Sequence, residues 1–413
     1  MDLLLTDTRA AARPGWSLLG PAFVAAIAYV DPGNVAANIS AGAKFGYLLV
    51  WVILLANVMA GLVQYLSAKL GLTTGRSLPE MVAANCRTPT RIAFWMQAEL
   101  VAVATDLAEV VGGAIALQLL FHLPMLIGGI ITAAVSMALL SIQNRGGQRT
   151  FERVIGGLLL IITIGFLTSL FVDPPAASDV LGGMVPRFTG VESLLLATAI
   201  LGATVMPHVV YLHSGLARDR HGRPEAGAPL RRMLRITRYD VGLAMVVAGA
   251  VNLSMLLVAA TNLRGLDGTD TIEGAHAAVR NVLGPTAALL FAIGLLASGL
   301  ASSSVGAYAG AMIMQGLLNR SYPLLLRRAV TVLPALVVLA VGFDPTRALV
   351  LSQVVLSFGI PFALIPLIRL TSSAAVMGEN VNHRLATILG WAVAVVITML
   401  NVVLIVLTVS GST

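Results

Sequence analysis

Ala28-Tyr29-Val30-Asp31-Pro32-Gly33-Asn34 interrupts an otherwise apolar run that extends from about residue 16 to residue 41. A proline followed by a glycine removes one helix hydrogen-bond donor and loosens the backbone, so a helix spanning a membrane unwinds there, near mid-depth. The carbonyls set free need partners. An aspartate at the same point costs several kcal/mol in hydrocarbon unless it pairs or faces a polar cavity, and a cation meets both needs. The stretch therefore predicts a cation site at Asp31.

The whole chain agrees with a membrane setting. Its 413 residues are 57% hydrophobic and only 11% charged, with a mean hydropathy of +0.90. A soluble globule carries roughly twice that charged fraction. The net charge of +7 is spread over short segments between apolar runs rather than on one soluble face, which argues against nucleic acid as a partner. The single cysteine, Cys86, cannot form an internal disulfide and reads as a loop thiol. The first fifteen residues carry no signal-peptide pattern, so the first apolar run is expected to stay as a helix.

Apolar runs predict eleven spans, at about 16–41, 47–71, 92–121, 123–142, 154–172, 191–216, 239–261, 285–318, 329–343, 347–371 and 386–409. Residues 271–284 read as an amphipathic helix at the membrane surface. With the N-terminus inside, 21 of the 26 basic residues fall on the cytoplasmic side and only Lys44, Arg187, Arg264, Arg280 and Arg347 fall outside. An odd number of spans then places the C-terminus outside.

The sixth span carries a second break, Gly202-Ala203-Thr204-Val205-Met206-Pro207-His208. Breaks in the first and sixth spans occupy equivalent places in two halves of five helices, and an odd repeat length means that the halves insert in opposite orientations. Such paired interruptions point to a transporter's midplane site. The expected fold is an all-α polytopic protein with a five-plus-five inverted repeat. Its single transmembrane domain covers 1–413, with one repeat over about 16–172, the second over about 191–371 and an extra helix at about 386–409.

Four acidic residues lie at membrane depth: Asp31, Glu99, Asp106 and Glu109. The last three share an arc of about 80° on the third span, a polar stripe of the kind that marks an ion or proton route. Glu99, near the cytoplasmic end, also fits a plain hydrogen bond to a neighbouring helix. His208 and His213 lie about 140° apart around their helix, so they cannot share one site. His208, beside the break, is able to exchange protons at physiological pH, whereas His213 reads as a buried, hydrogen-bonded histidine. Met206, also beside the break, would add a thioether to a carboxylate, an amide and carbonyls. That mixture favours Mn²⁺, Fe²⁺ or later divalent metals over Mg²⁺ and Ca²⁺. Gly112-Gly113, Gly128-Gly129 and Gly156-Gly157 predict close helix packing, and Ser302-Ser303-Ser304 predicts hydroxyls bonding the preceding helical turn.

Asp31-Pro32-Gly33-Asn34, Met206-Pro207-His208, Thr105-Asp106-Leu107-Ala108-Glu109 and Ser352-Gln353-Val354-Val355 together resemble the Nramp family of proton-coupled divalent metal transporters, in particular its bacterial manganese branch. The resemblance runs from about Trp16 to the eleventh span. It implies a fold of leucine-transporter type, with discontinuous helices 1 and 6. It implies metal binding by Asp31, Asn34 and Met206, by the carbonyls of Ala28 and Ala203, and by Gln353 in some states. It also implies a proton pathway through Asp31, Asp106, Glu109, His208, Arg327 and Arg328. Relatives that carry Mg²⁺ or Al³⁺ lack the methionine, so the expected substrates are Mn²⁺, Fe²⁺ and related ions, with H⁺ as the coupling ion.

No catalytic arrangement stands in the chain: it has neither a phosphate-cradling loop nor a nucleophile and base pair, so no enzyme activity and no cofactor are expected. The partners are then metal ions, protons and the bilayer of a bacterial inner membrane, and a monomer suffices. Three other readings remain, of which a channel would lack paired broken helices and would not need proton coupling. A non-transporting metal sensor would use the same ligands but usually carries a large soluble output domain. An amino-acid symporter of the same fold would offer glycines and amides, not an anionic Asp31, to its substrate's carboxylate.

Overall fold

The computed structural model describes residues 20–410 except 267, 270, 321 and 322, and omits the side chains of 140–149, 151, 169, 324, 408 and 409. The start of the first predicted span, with Arg9 and Arg13, therefore lies outside the described residues, as do the side chains of Arg145 and Arg149. Among the described residues all regular structure is helical.

In chain order the elements are α1 (Pro21–Ala28), α2 (Pro32–Phe45), α3 (Val50–Thr74), α4 (Leu78–Asn85), α5 (Thr88–Phe121), α6 (Met125–Val172), α7 (Ala177–Gly182), α8 (Val191–Thr204) and α9 (Pro207–His221). There follow α10 (Ala228–Asn262), α11 (Ile272–Leu283), α12 (Pro285–Leu318), α13 (Leu324–Val341), α14 (Pro345–Thr371), α15 (Ala374–Met377) and α16 (Arg384–Val409). Counting α2 with α3 and α8 with α9 as single runs, eight described segments are long and apolar enough to cross a membrane, and Met125–Leu139 is a shorter apolar piece.

Both expected breaks are present. Pro32 and Pro207 each open the second limb of a broken helix, where the missing N–H is an orphan in any case and the fixed φ suits the first turn. The proline therefore restarts the helix, and the residues before it form the gap. The second limbs pack reciprocally: α2 lies along α10, and α9 lies along α3. This is the exchange expected between two halves related by a two-fold axis, with α5 against α12 between them.

Apolar runs divide 123–172 into two spans joined by a loop, whereas the backbone of α6 is helical throughout its 48 residues. No proline falls between 143 and 153, and the glutamines and arginines there support a helix. At 1.5 Å per residue a straight helix of this length would reach about 70 Å, more than twice a bilayer core. Its two limbs in fact run in opposite senses. Gly128 packs on Ala114 and Gly129 near Val110, antiparallel to α5, while Glu152 lies beside Gly20 and Gly165 against Leu290 at the start of α12. The chain thus reverses between the limbs.

Other boundaries differ from expectation for local reasons. α10 begins at Ala228, so Arg231, Arg232, Arg235 and Arg238 sit on a helix rather than in a loop. α4 is an element that hydropathy does not signal, although Ser77 and Glu80 spell a capping box, of which the bond from the Ser77 N–H to the Glu80 carboxylate forms at 2.7 Å. Burial works against the Glu80 carboxylate, but the Ser77 N–H and Arg218 hold it below its ordinary pKa. α11 matches the expected surface helix: Thr271 caps it and Ile272, Ala275, Ala278 and Val279 form its buried face.

Glycine packing holds at two of the three pairs. A Cβ on Gly112 would strike Pro32, and one on Gly128 would press on the Ala114 backbone at 3.1 Å. Gly156 and Gly157 have no neighbour within 4 Å of that position, so there the close-packing expectation fails. Gly71 is tighter than any of these, since its Cβ would run into the Ser214 carbonyl on α9. Gly71→Ala should cost about 1–3 kcal/mol through backbone displacement, whereas Gly157→Ala should be neutral or slightly stabilising. Thermal unfolding of the two purified variants in detergent checks the contrast, and equal melting temperatures would contradict it.

Candidate metal site

The first break is built around Asp31. Its backbone is extended (φ −68°, ψ 167°), and its carboxylate caps α2 by accepting from the Asn34 N–H at 2.8 Å. The Asn34 amide nitrogen donates both to the same carboxylate oxygen at 2.8 Å and to the Ala203 carbonyl at 2.9 Å. A single amide therefore ties the first break to the second. Gln353, on α14, reaches the other carboxylate oxygen with its Nε2 at 3.3 Å.

Two glycines permit this approach. A Cβ on Gly33 would collide with the Gln353 side chain, and one on Gly202 would collide with the Gln353 carbonyl. Gln353 thus lies wedged between both breaks because each presents bare backbone to α14. Met206 occupies the cap position before α9, with φ −63° and ψ 121°. Asp31, Asn34, Met206, Ala203 and Gln353 are all 0% exposed and Ala28 is 1% exposed, so the site is closed to both ends of the bundle.

Asp31, Asn34, Ala203 and Gln353 are thus joined by hydrogen bonds in one buried place, with Met206 and Ala28 buried at the two breaks. Two of its side-chain oxygens, Asn34 Oδ1 and Gln353 Oε1, are buried without a hydrogen-bond partner. A buried acceptor left unpaired costs about 1–3 kcal/mol, which a cation would recover. Among the described residues no three His, Cys, Asp or Glu side chains come together, so any metal here is held by one carboxylate, amides, carbonyls and a thioether.

The carbonyls freed by the first break have partners that sequence patterns do not reveal. Asn252 on α10 donates to the Tyr29 carbonyl at 2.7 Å, and Ser298 on α12 donates to that of Val30. The Tyr29 hydroxyl is bonded by Gln64, which also pairs with His213 at 2.8 Å. His213 is thus the buried, hydrogen-bonded histidine expected. An amide within an apolar span, as at Gln64 and Asn252, is the available signal, because such a group needs a partner in hydrocarbon.

The acidic stripe of α5 faces α13 and α12. Arg328, 1% exposed, donates to Asp106 and Ser303 and lies 3.3 Å from Glu109. Arg327 pairs with Glu99 at 2.9 Å. Charge counting places both arginines among the cytoplasmic surface charges, yet both are buried, because three carboxylates on the facing helix compensate them. Ser303 also departs from expectation: Ser302 and Ser304 bond back to their own helix, but Ser303 accepts from Arg328. His208 joins the two regions, its Nδ1 lying 3.4 Å from the Thr105 hydroxyl on α5.

These features define a multi-pass helical protein with a buried polar site at two helix breaks and a buried acid and arginine chain beside it. A family model described as "Natural resistance-associated macrophage protein-like" matches residues 22–407, and the chain belongs to this family. It is 67% identical over 408 residues to the divalent metal cation transporter MntH of Mycobacterium tuberculosis, covering 99% of this chain and 95% of that one. It is 50% identical over 392 residues to the MntH of Bacillus subtilis, covering 94% and 91%. A crystal structure of a mutant Eremococcus coleocola manganese transporter superposes with a TM-score of 0.84 at 31% identity, covering 95% of this chain and 87% of that one. A nucleobase-cation symporter of another family shares the fold alone, with a TM-score of 0.60 at 16% identity.

Arg328→Gln would leave Asp106 and Glu109 buried without a counter-charge, a loss of about 3–5 kcal/mol. Arg327→Gln should cost about 1 kcal/mol, because its partner Glu99 is partly solvated, at 25% side-chain exposure. Chemical unfolding of both variants measures the difference, and an equal loss would mean that Glu99 is as dependent on its arginine as the deeper pair.

Proposed function

We propose that this protein imports divalent transition metal ions, Mn²⁺ foremost and Fe²⁺ among related ions, together with protons, by alternating access across a bacterial inner membrane. The observation that carries the reading is the convergence of Asp31, Asn34, Met206 and Gln353 in one closed site at the two helix breaks. The similarity to proteins named as divalent metal cation transporters supports the substrate class.

In the closed arrangement the Asn34 amide nitrogen stands between Asp31 and the Ala203 carbonyl, where it supplies partial positive charge to two oxygens. A metal entering between them displaces that donor, and a half-turn of the Asn34 and Gln353 amides offers their unpaired oxygens instead. Met206 adds sulfur, and the carbonyls of Ala28 and Ala203 join when the breaks move. Sulfur is a poor ligand for Mg²⁺ and Ca²⁺, so it sets selectivity rather than raw affinity.

One carboxylate leaves a divalent ion with net positive charge at low dielectric, which disfavours further positive charge on Asp31 or His208 nearby. A proton released there has acceptors on α5: Asp106 and Glu109 share the single guanidinium of Arg328, so the buried group has room for one more positive charge. Arg327 and Glu99 extend the chain of charges toward the arginine-rich end. The limbs α1 and α9, hinged at the breaks, would open the two faces in turn. With eleven spans, the N-terminus inside and repeats over 16–172 and 191–371, inward proton movement supplies roughly 2.3 kcal/mol per charge per 100 mV.

In proteoliposomes with an imposed potential and an internal pH dye, Mn²⁺ should enter with protons, Mg²⁺ and Ca²⁺ should not compete, and Asp31→Ala should be silent. Met206→Ala should still transport Mn²⁺ but admit Ca²⁺ as a competitor. Binding of Mn²⁺ at Asp31 without passage would instead make the protein a sensor. Uptake of an amino acid with Mn²⁺ excluded would make it a symporter of another class.

A further inference from the structure

A cleft of about 750 Å³ opens at the arginine-rich end of the bundle, between the first turns of α5, the end of α12 and the start of α13. Its polar lining consists of Thr88, Arg91, Glu99, Arg320, Arg327 and Thr331, with the Trp95 indole. Arg91 Nε, Trp95 Nε1 and Arg327 Nε are buried without a hydrogen-bond partner. Every one of these orphans is a donor. The one carboxylate in the lining, Glu99, already accepts from Arg327 at 2.9 Å.

Two helices also begin here. Neither α5, which starts at Thr88, nor α13, which starts at Leu324, has an acidic residue in its first turn or a side-chain cap. Their free N–H groups and dipoles add to the positive field. Arg327, 8% exposed with an unpartnered nitrogen facing the cleft, supplies the second mark of an anion site.

The rest of the lining is apolar: Ile92, Met314, Leu318, Leu326 and Val330. Ile92, Leu326 and Val330 are 42%, 57% and 58% exposed on the outer surface of the bundle, where a membrane protein meets acyl chains. An anion-seeking end that continues into a hydrocarbon wall describes an amphiphile. Inorganic phosphate would fill only the first half. A zwitterionic headgroup would bring a cation among three guanidiniums.

We propose that this cleft binds an anionic phospholipid, its phosphate held by Arg91, Arg320 and the two helix starts, and its acyl chain laid along Leu318, Leu326 and Val330. Basic pockets between transmembrane helices are suited to such headgroups. The bound phosphate lies beside the Arg327–Glu99 pair, so lipid and Glu99 draw on the same guanidinium. The inference rests on the cleft and is independent of which substrate crosses the membrane.

The test uses the purified full chain in detergent with phosphatidylglycerol, phosphatidylcholine or inorganic phosphate, read by native mass spectrometry for retained lipid and by thermal unfolding. Phosphatidylglycerol should be retained and stabilising, and the other two should not. The double variant Arg91→Gln, Arg320→Gln should weaken retention by about tenfold for each guanidinium removed, since each supplies a charge-assisted hydrogen bond. Val330→Trp, which keeps the arginines and fills the wall from its exposed side, should weaken it as well. Equal retention by wild type and both variants would overturn the proposal, as would phosphatidylcholine binding as well as phosphatidylglycerol. Stabilisation by inorganic phosphate equal to that by the lipid would also overturn it, reducing the cleft to a soluble-anion site.

Discussion

A carbonyl without a partner inside a bilayer costs several kcal/mol, and this chain interrupts two helices at that depth. Almost everything around the site follows from meeting that cost. Asn252 and Ser298 reach from α10 and α12 to the carbonyls of the first break. Asn34 reaches from the first break to the carbonyl of the second. The breaks are thus held by side chains rather than by a backbone ladder, which lets them exchange partners without unfolding a helix. The alternating access proposed above would need that property.

The same constraint applied to charge gives the second feature. Arg328 cannot be buried alone, and Asp106 and Glu109 cannot be buried together without it. Their helices, α5 and α13, are thereby locked in register, with Ser303 of α12 completing the cluster. The cluster holds two carboxylates for one guanidinium, an imbalance of one negative charge. In the proposed mechanism the groups that fix the helices are also the groups that take up the proton.

The positions of both breaks and the acid stripe are legible in the sequence, because each depends on local rules, whereas Gln353 enters the expected ligand set only through the family resemblance. Pro32 and Pro207, each beside polar residues in an apolar run, mark where a second limb begins, and a carboxylate in an apolar run declares itself. Asn252, Ser298 and Gln64 are not legible, being ordinary polar residues until a carbonyl or a tyrosine hydroxyl stands opposite them. Arg327 and Arg328 mislead for the complementary reason: an arginine at a span boundary reads as a surface charge until the acids of a distant helix are seen to face it. Within α6 the local marks conflict, since Gly146-Gly147 weakens a helix while the glutamines and arginines around it favour one.

The amino-acid sequence alone determined that the chain is a helical membrane protein broken at residues 29–31 and 205–206, with Asp31 and Met206 at the breaks, since hydrophobicity and proline act over a few residues. Only the tertiary structure decided that Gln353 sits between Gly33 and Gly202, that one amide of Asn34 joins the two breaks, and that Arg328 bridges a pair of buried acids. Those relations span 322, 169 and 222 residues of chain. They exist because close helix packing brings bare glycine backbone and uncompensated charge face to face, which no local pattern encodes.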